Sequence, residues 1–129
     1  MNKYTELSDF EINQKVADLI GATPYPTGLT EYHRSAVCGM ENAIIIKSPR
    51  KVGAFDPCNN PADAMPIIIE NKICTAFDVF AEEHDGGNWV ASPAYGFANE
   101  RTRSNNLYRA AMELFLLMKD AENENNNNC

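Results

Sequence analysis

Long hydrophobic runs are missing from this sequence, and no apolar stretch approaches the ~20 residues that cross a bilayer. The opening Met1-Asn2-Lys3-Tyr4-Thr5-Glu6 holds no apolar core of a secretion signal, so none is expected. Basic charge is short as well: 11 Lys and Arg face 18 Asp and Glu, for a net charge of −7. Nucleic-acid binding draws on basic residues that displace counterions from phosphates, so this balance argues against direct binding to DNA or RNA. Anionic membrane surfaces are disfavoured for the same reason. The four cysteines (Cys38, Cys58, Cys74 and Cys129) and two histidines form no short Cys-x-x-Cys or His-x-x-x-His pair, so no metal site is expected. Without a secretion signal, the thiols are expected free in a reducing compartment. The phosphate-cradling Gly-x-x-x-x-Gly-Lys-Ser/Thr loop and the Gly-x-Ser-x-Gly nucleophile elbow are both absent. No cofactor is implied, and no catalytic residue is nominated. His84-Asp85 is the nearest approach to a base and its orienter, but neighbours in a turn rarely aim at one another as a triad requires.

What is present suits one globular domain. A chain of 129 residues buries roughly two-thirds of its unfolded surface and needs no cross-link to hold a core. The expected domain spans residues 1–121, with 122–129 as a disordered, Asn-rich tail. Asparagine is the compositional outlier, with fifteen residues, four of them in the run Asn125 to Asn128.

Local signals divide the domain. Ser8-Asp9-Phe10-Glu11 is a capping box, with Leu7 and Ile12 at the staple positions. Ile12, Val16, Leu19 and Ile20 continue it as an apolar stripe, and Gly21 supplies a left-handed stop, giving a helix over 8–20. Residues 21–42 show no sustained period. They carry Tyr25, Tyr32 and His33, and read as either a functional loop or a variable insertion. Residues 43–47 and 51–55 pair about the turn Ser48-Pro49-Arg50. A helix follows over 62–71, with Asp63 as cap and Pro66 in the first turn, where it removes no helical hydrogen bond. Residues 73–80 alternate as a strand, Asp85-Gly86-Gly87-Asn88 turns the chain, and Trp89-Val90-Ala91 returns. After a loop over 92–105, the last helix runs from Asn105-Asn106 to about Ala121. Its core face of Leu107, Ala110, Ala111, Leu114, Phe115 and Met118 is widened nearly all round by Met112, Leu116 and Leu117, which marks it as central. The fold class is therefore α+β: a small antiparallel sheet of three to four strands packed with three helices.

Two regions are candidate binding sites. Asp56, Asn59, Asn60 and Asp63 either line a polar pocket at a helix N-terminus or simply cap the helix and close turns. Trp89, Tyr95, Phe97, Arg101, Arg103 and Arg109 make an aromatic and arginine set of the kind found at interaction hot spots. Equally, Trp89 suits a core strand, and the arginines suit neutralisation of an acidic chain.

Several blocks resemble the NinX-like proteins of tailed bacteriophages. These are Tyr4-Thr5-Glu6-Leu7-Ser8-Asp9-Phe10-Glu11-Ile12-Asn13, then Cys58-Asn59-Asn60-Pro61-Ala62-Asp63-Ala64-Met65-Pro66-Ile67-Ile68, and the shorter Trp89-Val90-Ala91 and Arg109-Ala110-Ala111-Met112. The span from Gly21 to Val52 is largely unmatched by them. Leu107 stands where the family pattern has Pro after the cap of the last helix; the cap itself is kept. The resemblance implies a phage or prophage protein acting in the bacterial host cytoplasm, and it carries no activity and no catalytic residue. The reading is a non-enzymatic accessory protein that binds a host or phage protein. The alternatives are a small-ligand binder or small enzyme using the Asp56–Asp63 block, and an acidic mimic of nucleic acid.

Overall fold

The structure is a computed structural model that describes residues 2–94 and 100–127, the side chains of 125–127 excepted. Helix α1 (Asp9–Leu19) starts where the capping box places it. The Glu11 amide donates to Ser8 Oγ at 3.1 Å, and the Ser8 amide donates back to Glu11 Oε1 at 3.1 Å. It stops at Gly21 (φ +82°) in a Schellman motif, with the Gly21 amide on the Asp18 carbonyl and the Ala22 amide on the Ala17 carbonyl. The buried stripe differs from expectation. Ile12, Asn13, Val16 and Ala17 are buried while Leu19 is exposed. Asn13 can occupy a core position because its amide is fully hydrogen-bonded there, which turns the helix away from Leu19.

Residues 21–42 are tied to α1 and to the next strand rather than looping free. Strand β1 (Thr23–Pro24) pairs antiparallel with β2 (Ile44–Lys47), Thr23 opposite Lys47. Farther along, Ser35 and Ala43 share a backbone hydrogen bond, as do Ile45 and His33. The Tyr32 hydroxyl meets the Asp18 carboxylate and the Ala22 carbonyl, and the Arg34 guanidinium stacks 3.9 Å over the Phe10 ring. Tyr25 and His33 are exposed. The hairpin to β3 (Val52–Phe55) follows the expected turn, with Ile44 opposite Phe55.

Helix α2 (Pro61–Glu70) begins one residue before the expected range, and its cap is Asn60 rather than Asp63. The Ala62 amide donates to Asn60 Oδ1 at 3.0 Å, and Pro61 takes the first helical position. The Asp63 carboxylate is taken instead by Lys51 Nζ at 2.7 Å and the Asp56 amide at 2.9 Å. Pro66 therefore lies inside the helix, not in its first turn, and deprives the exposed Ala62 carbonyl of its helical donor.

Strand β4 (Ile73–Phe77) ends before the expected residue 80. It pairs antiparallel with β5 (Trp89–Pro93), which pairs with β6 (Thr102–Ser104), a strand inside the span expected to be loop. The fold is α+β, but the strands form two three-stranded antiparallel sheets, β1-β2-β3 and β4-β5-β6, rather than one sheet. Two very short strands, β1 and β6, complete them. Helix α3 (Leu107–Asn127) touches α1, α2, β4, β5 and β6, and buries Ala110, Ala111, Met112, Leu114, Phe115 and Leu116. The all-round apolar surface read from its sequence has that cause. The helix continues past Ala121 into the segment expected to be a disordered tail, and Lys119 pairs with Glu122 across the boundary. One buried cluster joins residues from all three helices and both sheets.

Candidate functional site

The Asp56–Asp63 block is drawn into a polar junction between the N-termini of α1 and α3. Asp56 Oδ1 accepts from Asn13 Nδ2 at 2.8 Å and from Asn59 Nδ2 at 3.1 Å. Asn59 also donates to Asp9 Oδ2 at 3.1 Å and accepts from Asn106 Nδ2 at 3.0 Å. Asn106 caps α3, its Oδ1 accepting from the Tyr108 amide at 2.9 Å, and also donates to the Cys58 carbonyl. Arg109, one turn on, holds four groups at once: Asp9 Oδ1, Glu113 Oε2, and the carbonyls of Tyr4 and Leu7, all within 2.9 Å. Burial works against its charge, but the hydrogen bonds it donates to Asp9 and Glu113 outweigh it and leave its pKa above the ordinary value. Every candidate in this block thus has an internal partner. Arg109, only 11% exposed at its side chain, is held inside the molecule by these partners, and it shares the lining of a shallow polar cavity with Arg103. The participants that sequence reading missed are Asn13, Asp9 and Glu113. Asn13 and Glu113 signal themselves only as polar residues on buried helical faces, and Asp9 only as an acidic residue in a first helical turn.

Trp89 and Arg103 lie on neighbouring strands of the second sheet but on opposite faces, with Trp89 opposite Ser104 and Arg103 opposite Val90. Phe77 lies directly opposite Trp89, ring centroids 5.1 Å apart at 73°, an edge-to-face pair. Arg103 donates to Asp78 Oδ2 at 2.9 Å and to the Gly87 carbonyl at 3.3 Å. Arg101 is exposed and donates to the Glu100 carbonyl. Tyr95 and Phe97 lie outside the described residues. What the sequence did not flag is how exposed the strand beside Trp89 is. Phe77 is 52% exposed, Val79 69% and Phe80 88%, next to a β4 whose residues 74–77 are all exposed.

A groove of about 610 Å³ lies between α1, the β2–β3 hairpin, α2 and α3. Ile46, Phe55, Ile67 and Phe115 floor it, and Lys51, Asp63, Arg50 and Glu70 stand around it. Asn59 and Asn60 do not line it. His84 is exposed, with its ring nitrogens 3.4 and 3.5 Å from Asp85 and Glu82 of its own turn. Cys38 and Cys74 are free and exposed. Cys58 is free and buried, and its desolvated thiol has a pKa well above the ordinary value. Among the described residues no three His, Cys, Asp or Glu side chains converge as metal ligands, and no helix is long and apolar enough to cross a membrane.

Residues 3–119 match the family described as Bacteriophage P22, NinX. The chain belongs to the NinX family. The match runs through residues 21–52, which the short motifs had left uncovered, and includes every element of the fold up to all but the end of α3. Membership makes the chain a phage accessory protein. Comparison with curated proteins and with solved structures returned no match.

Proposed function

We propose that this NinX-family protein acts in the bacterial host cytoplasm as a non-enzymatic module that binds a host or phage protein through its second sheet. The observation that carries the reading is the set of exposed apolar residues Phe77, Val79 and Phe80, in which Phe77 packs on Trp89 and the intervening Asp78 holds Arg103. Exposed apolar clusters rimmed by polar residues mark interaction surfaces, because water leaves them at a gain when a partner arrives. The polar junction supports the reading from the other side: its carboxylates and amides are occupied in holding α1, α2 and α3 together. The test is a pull-down from phage-infected lysate with wild-type protein and Phe80→Ser as baits. A partner retained by the wild type and lost with the variant supports this surface; equal recovery by both removes it.

The groove carries a second reading. Its volume lies in the range of small-molecule sites, and its apolar floor with charged rim suits a small amphipathic ligand. Chemical-shift changes confined to Ile46, Ile67 and Phe115 on titration with short-chain fatty acids would favour it.

A further inference from the structure

We infer that β4 is a self-pairing edge: two copies of the chain join their β4 strands antiparallel about Thr75, fusing two three-stranded sheets into one of six strands. This rests on reading the surface around β4 as a protein interface, and it names the occupant.

Three observations point to a second copy. The first is that the edge is open and unguarded. Among the described residues, strand β4 has only β5 as a neighbour in its sheet. The Asp78 amide donates to the Asn88 carbonyl, one step past the Phe77–Trp89 pair, which sets the parity of the ladder. Ala76 and Cys74 then direct their backbone groups at β5, while Ile73, Thr75 and Phe77 direct theirs outward. The sequence Ile73-Cys74-Thr75-Ala76-Phe77 holds none of the charges or prolines with which exposed edges are normally protected.

The second is that the strand matches itself. With Thr75 opposite Thr75, Ile73 falls opposite Phe77 and Phe77 opposite Ile73, so outward-directed groups meet outward-directed groups at all three places. The residue before the strand is basic, Lys72, and the one after it is acidic, Asp78. Antiparallel pairing therefore brings a basic end to an acidic end twice over in a chain of net charge −7, while Asp78 keeps its own Arg103 at 2.9 Å. A two-fold arrangement of this kind closes on itself and does not propagate.

The third is the placement of the exposed apolar residues. Antiparallel pairing brings the chain after β4, with Val79 and Phe80, toward the chain before β4 in the other copy, where Ile69 is 64% exposed at the end of α2. The most exposed apolar residues on either side of the strand thereby gain cover from the same event.

The test is sedimentation of the full chain in reducing buffer from low to several hundred micromolar. Wild type is expected to reach twice the 14.4 kDa chain mass. Thr75→Lys, which sets two like charges face to face, and Thr75→Pro, which removes an outward N–H, should each raise the dissociation constant about tenfold or more at an unchanged melting temperature. Thr75→Lys also serves if the proline variant fails to fold. Directly opposed residues of this class have Cα atoms ~5.5 Å apart, within disulfide reach, so Thr75→Cys with Cys38, Cys74 and Cys129 changed to Ser should oxidise to a covalent dimer. A wild type that stays monomeric throughout, or a dimer indifferent to both Thr75 variants, overturns the inference. A monomer that still captures a partner through Phe80 would overturn it while leaving the proposed function standing.

Discussion

Arg109 in α3 and Asp9 in α1 stand 100 positions apart in the chain and 2.7 Å apart in space, Nη1 to Oδ1. That ion pair joins the first and last helices, and Glu113 (3% exposed) completes it from below. Arg109→Ala would leave both carboxylates without their cation and two carbonyls without a donor. The expected cost is about 3 kcal/mol or more, since removing one partner of a buried pair strands the other charge. Arg109→Lys should recover little of it, because an ammonium cannot match the planar fork that reaches four acceptors. Urea denaturation midpoints of the two variants check this, and a Lys variant as stable as wild type would show that charge alone matters.

The α1 cap is local and exposed, so its removal should be milder. Ser8→Ala takes the acceptor from the Glu11 amide and should cost about 1 kcal/mol. An unchanged midpoint at an unchanged m-value would mean the cap contributes nothing to folding.

Gly87 is a position where a side chain has no room. A Cβ there would stand 2.2 Å from the Ser104 carbonyl carbon, and its φ of +141° disfavours any L side chain. Gly87→Ala should lower stability by about 2 kcal/mol or more, because β6 must shift away from the turn. Loss of hydrogen-exchange protection in residues 102–104 ahead of the rest of the chain is the specific readout.

Asp78 predicts a pH dependence. The Phe80 amide first, and Arg103 second, hold its carboxyl below the ordinary carboxylate value. A folded-state pKa below the unfolded one stabilises the protein above the unfolded value of 3.8, and that contribution disappears as pH falls through the lower folded value. Asp78→Asn should therefore melt lower than wild type at neutral pH, and the gap should narrow on acidification through that window. A gap that stays constant with pH would mean that the charge on Asp78 is not the source.

The capping box at Ser8, the Gly21 stop, the Ser48–Arg50 hairpin and the apolar girth of α3 were all legible because each depends on residues a few positions apart. Capping, turn geometry and helical periodicity are short-range chemistry, and they suffice for the α+β class and three helices. The cap of α2 was misplaced because Asn60 and Asp63 are both good caps, and the positions of Lys51 and the Asp56 amide decide which one is free to serve.

The candidate sites split along the same line. Asp56, Asn59, Asn60 and Asp63 were legible as a polar cluster, but their use was not, since their partners Asp9, Asn13 and Asn106 come from α1 and the cap of α3. The same holds for Arg109, whose local neighbours suggest a surface hot spot while its distant ones bury it. Strands of two and three residues, such as β1 and β6, are too short to show a period, so the division into two sheets had no trace in the pattern. That division leaves β4 at an edge and exposes Phe77, Val79 and Phe80. Sequence alone therefore determined the local elements, whose free energy is set by neighbours along the chain. Tertiary structure alone decided which polar groups are buried, which arginine is held inside and which strand lies at an open edge, because those outcomes depend on groups that only folding brings within reach.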